Sequence, residues 1–484
     1  MTPDKYIQNY IDGVLAPAVS GEYFDNCNPA KGKIYSYIPD SDERDVQRAV
    51  EAAQRAYPAW SKIKPQARFK ILTRIADLIE QFSSAFAQAE SIDSGKPLTT
   101  STQIDIPRAH QNIRFFATAL LHYSSESHQM QTEAINYTLR QSIGVVGCIS
   151  PWNLPLYLFT WKIAPALAMG NCVIGKPSEM TPMTAYLLSK VCIEAGLPPG
   201  VLNIIHGLGS KAGQAIVEHP NIKAISFTGG TNTGKKIIST AGPMFKKLSL
   251  ELGGKNPNII FTDCDFEEMM TTTLRSSFAN NGQICLCGSR IYVEQPIYEK
   301  FKTELAKRTQ RLKVGDPFSE TTDLGALVSK PHMEKVLSYI SLAKEEGGTI
   351  LCGGTPVVTK GDCEEGYFIR PTVIEGLPHH CRTNQEEIFG PVVTITPFDT
   401  EEEVLGYANG TPYGLSATVW TKDISRAHRM AEKLAAGIIW INCWMVRDLR
   451  TPFGGVKNSG VGREGGLEAL RFFTEPKNVC IKYG

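Results

Sequence analysis

From Val145 onward the chain alternates short β-branched runs with helical stretches, and this alternation restricts the fold more than any other feature. Residues 145–150, 171–175, 201–205 and 224–227 read as buried strands. Between them lie a Pro151-Trp152-Asn153 turn with a helix behind it, a helix over residues 183–195 and further helical segments. Strands that are apolar throughout and joined by helices form a parallel sheet covered on both faces. A second series of the same kind runs from Leu248 to about Trp444, with strands near residues 258–261, 290–293, 392–397 and 437–442. Ahead of both series, residues 42–60 and 65–94 carry apolar residues at helical spacing. Residues 135–140 alternate like an exposed ribbon, and 478–483 end the chain in another; both suit strand addition between subunits. The expected architecture is α/β: two doubly wound domains and a protruding two-part ribbon.

Composition narrows the function. A net charge of +1, with no dense Lys/Arg block, argues against a nucleic-acid groove or a membrane surface. The opening Met1-Thr2-Pro3-Asp4-Lys5 lacks the apolar core of a signal peptide, and no run of about 18 apolar residues occurs. The 12 cysteines have no regular spacing, as expected of reduced thiols in a cytoplasmic protein. His379-His380-Cys381 has no further ligands at suitable spacing, so no metal site is expected. These features suit an enzyme of small molecules.

Five segments carry chemistry. Cys285 follows Gly282, which lets the chain turn tightly and present a thiol to a cleft; the alternative is a small buried hydrophobe. Glu251, flanked by glycines in Leu250-Glu251-Leu252-Gly253-Gly254, offers a base from another strand. Asn153, in the turn after the first strand, has an amide suited to an oxyanion, although asparagine in a turn commonly serves its own backbone. The glycines of Phe227-Thr228-Gly229-Gly230-Thr231-Asn232-Thr233-Gly234 open a helix N-terminus fit for a pyrophosphate, or simply make a strand-to-helix turn. Lys176-Pro177-Ser178-Glu179 stands at a strand's C-terminal end, where open α/β sheets bind ligands. Glu179 there would take ribose hydroxyls and repel a 2′-phosphate, or it pairs with Lys176 at the surface. Gly207-Leu208-Gly209-Ser210-Lys211-Ala212-Gly213 has GxGxxxG spacing, which departs from the GxGxxG dinucleotide fingerprint.

In this order, with Glu387-Ile388-Phe389-Gly390-Pro391, Pro412-Tyr413-Gly414 and Pro452-Phe453-Gly454-Gly455, these motifs resemble the NAD(P)-dependent aldehyde dehydrogenases over nearly the full chain. The resemblance implies a nucleophile at Cys285, a base for the deacylating water at Glu251, and an oxyanion hole made by the Asn153 side chain and the Cys285 N–H. It implies NAD as cofactor, held by Trp152, Lys176, Glu179, Gly229, Gly230, Gly234, Glu387 and Phe389. Gly230 replaces a serine common in that loop, removing a hydroxyl contact. The implied division is a cofactor domain at 1–123 and 144–250, a catalytic domain at 251–470, and an oligomerisation ribbon at 124–143 and 471–484. A homodimer or homotetramer follows from the same resemblance.

Specificity is expected at the tunnel mouth, where the resemblance places Leu154, Leu158, Trp161 and the segment before Phe453. Arg447 and Arg450 precede that phenylalanine, and Arg108 approaches from the N-terminal helices. A guanidinium fork suits a substrate carboxylate; the bland alternative is pairing of Arg447 with Asp448 or a surface glutamate. Asn442-Cys443-Trp444-Met445-Val446-Arg447-Asp448-Leu449 resembles the muconic semialdehyde branch of the family, whose substrates carry a distal carboxylate. The expected reaction is oxidation of 2-aminomuconate 6-semialdehyde in tryptophan (kynurenine) or aminobenzoate breakdown, with 2-hydroxymuconate semialdehyde as the alternative. A betaine-type cationic aldehyde is disfavoured by the arginines, and a binding protein without chemistry by the intact Cys285, Glu251 and Asn153.

Overall fold

A computed structural model describes residues 5–484; residues 1–4, part of the opening segment considered above, lie outside them. Five parallel strands form the centre of the first sheet. Their spatial order is Leu202–Ile204, Cys172–Lys176, Val145–Ile149, Ile222–Thr228 and Lys247–Glu251. Successive strands step outward from Val145–Ile149 in one direction and then in the other. That reversal leaves a crevice at the C-terminal ends of Val145–Ile149 and Ile222–Thr228. Asn9–Ile11 and Val14–Ala16 extend one edge, and Gly460–Val461 closes the other antiparallel to Lys247–Glu251.

Burial explains why these strands lack alternation. Every residue of Val145–Ile149 and Cys172–Lys176 is buried, because helices cover both faces. The helix Pro155–Ala168 is apolar almost all round and is buried at every position except Leu158. Within it the single charged residue, Lys162, is fully buried.

The second sheet has seven strands in the order Thr349–Cys352, Thr372–Glu375, Val392–Phe398, Arg290–Glu294, Pro257–Ile260, Ser416–Trp420 and Ile438–Ile441. All pair in parallel except Thr349–Cys352. A third sheet is the ribbon. Thr474–Lys482 runs antiparallel to Ala134–Ser142 from Thr474↔Ser142 to Lys482↔Ala134, with Ser127–Met130 on the far side. The two expected ribbon segments therefore pair with each other inside one chain. Only the outer edges of Thr474–Lys482 and Ser127–Met130 remain open.

Two local expectations change. Residues 65–94 form two helices, Pro65–Gln81 and Ser83–Ser94, because Phe82 leaves helical geometry at φ −99°, ψ 21°. Between residues 9 and 39 the chain forms four short strands, Tyr23–Asn28 and Lys33–Pro39 making a hairpin. Their sequences are too short or too polar to show a period. Among the described residues no helix is long and apolar enough to cross a membrane.

Ile174 lies fully buried at the middle of a central strand. Ile174→Ala removes three carbons from a site flanked by helices on both faces, which typically costs about 2–5 kcal/mol. A lowered urea midpoint for loss of the helical circular-dichroism signal is the expected result; an unchanged midpoint contradicts the packing.

Candidate active site

At the crevice a cavity of about 260 Å³ is lined from one side by Trp152, Asn153, Thr228, Gly229, Gly230, Leu252 and Gly253. These follow the C-terminal ends of three parallel strands. From the other side come Cys285, His332, Lys335, Glu387 and Phe389. Cys285 and Glu387 stand ahead of the strands Arg290–Glu294 and Val392–Phe398, so the second sheet contributes segments entering its N-terminal ends.

Local backbone explains how Cys285 reaches the cavity. Asn280, Asn281 and Gly282 are all left-handed, with φ of 51°, 57° and 69°. Asparagine tolerates that region and glycine is at ease in it. A Cβ at Gly282 would stand 2.1 Å from the Gly390 carbonyl, so only glycine fits. The loop is then pinned: Asn281 Nδ2 donates to the Gly325 carbonyl at 2.8 Å, and Asn256 Nδ2 to the Cys285 carbonyl at 2.6 Å. Asn153 Nδ2 donates to the Gln283 carbonyl at 2.9 Å, joining the two sides of the cleft. Among the described residues no acceptor takes the Cys285 N–H. One amide hydrogen of Asn153 and this N–H are thus available beside the sulfur.

Glu251 ends its strand but does not line that cavity; it faces Gly454, where a Cβ would lie 2.7 Å from its Oε1. Neither carboxylate oxygen has a hydrogen-bond partner, and the residue is 3% exposed. Burial first, then the Glu464 carboxylate, push Glu251 well above the usual carboxylate range, while Lys162, Arg447 and Arg463 oppose them. Glu464 is held by Lys162 Nζ at 2.7 Å, with Ser226 Oγ at 3.2 Å from the same oxygen. Burial also raises the Cys285 thiol, helped by the Glu387 and Glu251 carboxylates. The resting nucleophile candidate is accordingly a thiol with a protonatable carboxylate in its electrostatic reach.

The residues assigned above to a cofactor occupy several places. Glu387 is raised by burial, with the Gly254 N–H, Lys335 and Lys255 opposing. Its Oε1 accepts from the Gly254 N–H at 2.9 Å, and Oε2 presses on Gly253, leaving no room for a Cβ. Phe389, left-handed at φ 61°, contacts Trp152 edge to face. His332, which burial lowers to about 4, joins the Phe389 carbonyl through Nε2 at 2.7 Å. Lys176 is buried and pairs with Glu179 at 2.9 Å, so this is no surface pair. Glu179 is lowered: burial raises it, and the Lys176 ammonium together with backbone N–H groups, that of Gly209 among them, more than offsets this. Its Oε1 lies 3.4 Å from the Gly209 N–H, which brings the Gly209–Gly213 segment to the same spot. In the glycine loop, the Gly229 N–H donates to the Glu251 carbonyl at 3.0 Å, and Gly234 packs on Leu252. Gly230 caps the helix Thr231–Ala241, and the space a Cβ would take there is open.

The substrate candidates gather on one helix face and one loop. Leu154, Leu158 and Trp161 lie at helical spacing along the helix, and Phe453 packs in the cluster that includes Cys285. Arg447 is stacked between Trp161 and Phe453, its guanidinium carbon 4.5 and 3.9 Å from the ring centroids. Its Nη1 reaches the Tyr157 hydroxyl at 3.4 Å, as does Arg108 Nε from the other side. Arg447 Nε and Nη2 are buried and have no acceptor. Asp448 is taken by Arg450 through a two-pronged surface pair with a 2.6 Å contact. The pairing of Arg447 with Asp448 weighed above does not form, and Arg450 faces solvent.

Sequence reasoning missed Tyr157, Lys162, Glu464, His332 and Lys335. A lysine inside an otherwise apolar helix was a usable signal for Lys162; the other four had none, since their partners are distant in the chain.

These features have a common source: the chain belongs to the aldehyde dehydrogenase family, whose profile matches residues 16–479. It is therefore an aldehyde oxidoreductase of a family that is generally NAD(P)-dependent. It is 51% identical to a 2-aminomuconic semialdehyde dehydrogenase of Danio rerio, over 99% of each chain. Identity to a 2-hydroxymuconic semialdehyde dehydrogenase of Pseudomonas sp. (strain CF600) is 45%, over 99% of this chain and 100% of that one. An aldehyde dehydrogenase from Bacillus cereus, solved as its NAD+ complex, superposes with a TM-score of 0.96 at 39% identity, covering 99% of this chain and 97% of that one.

The raised thiol sets a pH dependence. A folded-state pKa above 9 keeps Cys285 protonated at neutrality, so thiolate becomes more abundant only as pH rises. Alkylation of Cys285 by iodoacetamide in the ligand-free protein should climb about tenfold per pH unit between about pH 7 and 9. A rate that levels off below about pH 8 would contradict the shift.

Proposed function

We propose that this chain oxidises 2-aminomuconate 6-semialdehyde to 2-aminomuconate with NAD+. The observation that carries the substrate is Arg447. A guanidinium edge that is buried and lacks acceptors is costly unless an anion arrives. The free Nε–Nη2 edge has the spacing of a carboxylate's two oxygens, and Arg108 adds a second positive charge beside Tyr157. The name of the Danio rerio relative supports the same substrate class.

In this reading Lys176 and Glu179 hold the adenosine ribose, and the Glu179 carboxylate disfavours a 2′-phosphate. The Gly230 N–H and the helix start behind it face the pyrophosphate, with Gly229 and Gly234 shaping the loop. Glu387 holds the second ribose, and Trp152 and Phe389 flank the nicotinamide. The open space at Gly230 and the half-buried Glu387 carboxylate on the cavity wall fit such a group. When bound, NAD+ supplies the hydride acceptor.

The chain's own residues do the rest. Cys285 gives its proton to water in the cleft and Sγ bonds the aldehyde carbon, moving the carbonyl electron pair onto oxygen. The Asn153 amide and the Cys285 N–H stabilise that oxyanion; one such donor is typically worth about 10²–10³ in rate. Departure of the hydride leaves a thioester on Cys285. Glu251 removes a proton from water, the hydroxide oxygen bonds the acyl carbon, and the carbon–sulfur bond breaks to release the acid. The Glu464–Lys162 pair lies next to Glu251 and offers its proton a way out. Leu154, Leu158, Trp161 and Phe453 exclude water around the chain of the substrate.

The division at 1–123 and 144–250, 251–470, and 124–143 with 471–484 belongs to the same proposal. So do cytoplasmic residence and a homodimer or homotetramer, for which the open ribbon edges provide pairing groups. A second reading, 2-hydroxymuconate semialdehyde, is supported by the Pseudomonas relative at 45% identity. The two substrates differ by one substituent, to which a carboxylate clamp is blind.

Arg447→Ala removes a charge-assisted pair of about 1.5–3 kcal/mol, raising KM for the semialdehyde about 10–100-fold while sparing an uncharged aldehyde. Equal losses on both substrates would refute the clamp. Glu251→Gln should release one equivalent of NADH per site in a burst and then stall as the thioester; a steady rate without a burst assigns the water step elsewhere.

A further inference from the structure

Lys96, Asp105 and Glu90 form a charged cluster with at most 1% exposure, outside the cavity that Cys285 lines. Lys96 Nζ donates to Asp105 Oδ2 at 2.6 Å and to the backbone carbonyl of Asn153 at 2.9 Å, and lies 3.9 Å from Glu90 Oε1. Glu90 Oε2 faces the Leu156 N–H at 3.5 Å, in the first turn of the helix that follows Asn153. Burial pushes Glu90 up to about 8, with Lys96 opposing and Asp105 adding. Near neutrality it keeps its proton, and one ammonium faces one carboxylate.

A dry ion pair is a poor way to gain stability, since apolar side chains of similar volume commonly do as well. The partner of this pair suggests another role. The Asn153 carbonyl receives two donors, Lys96 Nζ and Asn280 Nδ2 at 3.0 Å, which fill both its lone pairs. Those two bonds fix the plane of the peptide that follows Asn153, and Glu90 secures the chain at Leu156. The direction of the Asn153 side chain is thereby set from behind, with its amide 2.9 Å from the Gln283 carbonyl.

We propose that Lys96, with Asp105 as its counter-ion and Glu90 as a brace, is a positioning residue for the oxyanion donor Asn153. Lys96 touches neither substrate nor cofactor. Its contribution to rate passes through the Asn153 amide and vanishes when that amide is gone.

The test is a double-mutant comparison on the full-length enzyme with NAD+ and an uncharged aldehyde, which leaves the substrate clamp out of the measurement. Lys96→Met/Asp105→Leu removes both charges together, avoiding a lone buried ion. It should lower kcat about 10–100-fold, a fraction of what loss of the oxyanion donor costs, with KM for NAD+ within about twofold. In an Asn153→Ala background the same pair should change kcat less than about twofold. An equal fold-loss in both backgrounds, or no loss in the parent, would overturn the proposal. Should the paired variant not fold, Lys96→Arg retains the charge but displaces it. A kcat loss masked by Asn153→Ala supports positioning, and an unmasked or absent loss refutes it. Asn153→Ala alone reports separately on the oxyanion assignment.

Discussion

A parallel strand ends with backbone groups that no neighbour satisfies, and at a reversal of strand order two such ends diverge. Every element of this site depends on that gap. The turn carrying Asn153 and the loop carrying Gly230 fill it from Val145–Ile149 and Ile222–Thr228. The second sheet cannot offer the same kind of edge to the same place. It approaches with the segments that enter its strands, and these need left-handed residues at Asn280, Asn281, Gly282 and Phe389 to face the gap. The Asn153–Gln283 hydrogen bond is where the two solutions meet. Strain of this kind persists only where the surroundings over-determine it, and the side-chain amides on the Gln283, Gly325 and Cys285 carbonyls do so.

The electrostatic design follows from the same burial. Cys285, Glu251 and Glu387 are all raised chiefly by loss of water, with the Glu387 and Glu251 carboxylates adding to the shift at Cys285 and the Glu464 carboxylate adding to it at Glu251. Burial keeps Cys285 a thiol at rest, so the nucleophile is not exposed as a thiolate to stray electrophiles. Arg447 has the opposite character: it cannot become neutral, and the faces of Trp161 and Phe453 screen it without satisfying its N–H groups. It lowers Cys285 and Glu251 as well as offering an edge to a ligand. A carboxylate bound there would weaken that pull on Cys285, a coupling between the two ends of a substrate that an uncharged aldehyde lacks.

Much of this was legible in the sequence because it is local. Strand runs such as 145–149 and 172–176 announce burial by composition, and the Gly282–Cys285 loop announces its turn by its glycine. The four short strands between residues 9 and 39 show no period, and the expected single helix over 65–94 hid a break at Phe82. In the site, motif residues with partners close in sequence could be read, as with Lys176 and Glu179. Tyr157 and Arg447 could not be joined, since 290 positions separate them, nor Lys162 and Glu464, separated by 302. The glycines of the 229–234 loop also have packing reasons of their own. Gly234 answers to Leu252 and Gly229 to the Phe227 ring, so a phosphate is not the sole reason for either.

In the proposed reading, length discrimination follows from how these parts are fastened together. Asp105 ends the short π-helical turn Ser101–Asp105 and leads directly into the helix Ile106–Leu121, which carries Arg108. Its ion pair with Lys96 therefore ties the start of that helix to the Asn153 turn. Arg108 and Asn153 sit at opposite ends of the substrate in the proposed reading. A buried, nearly incompressible link between them holds the distance from distal carboxylate to oxyanion constant. Loops at the mouth alone would let that span vary by the amplitude of their motion, and short or long aldehydic acids would then bind with the carbonyl displaced from Cys285. A displacement of even 1 Å at the reacting carbon is enough to cost orders of magnitude in rate. The unusual placement of a lysine and an aspartate in a dry interior is understandable on this basis: apolar packing would fill the space, but it has no fixed length.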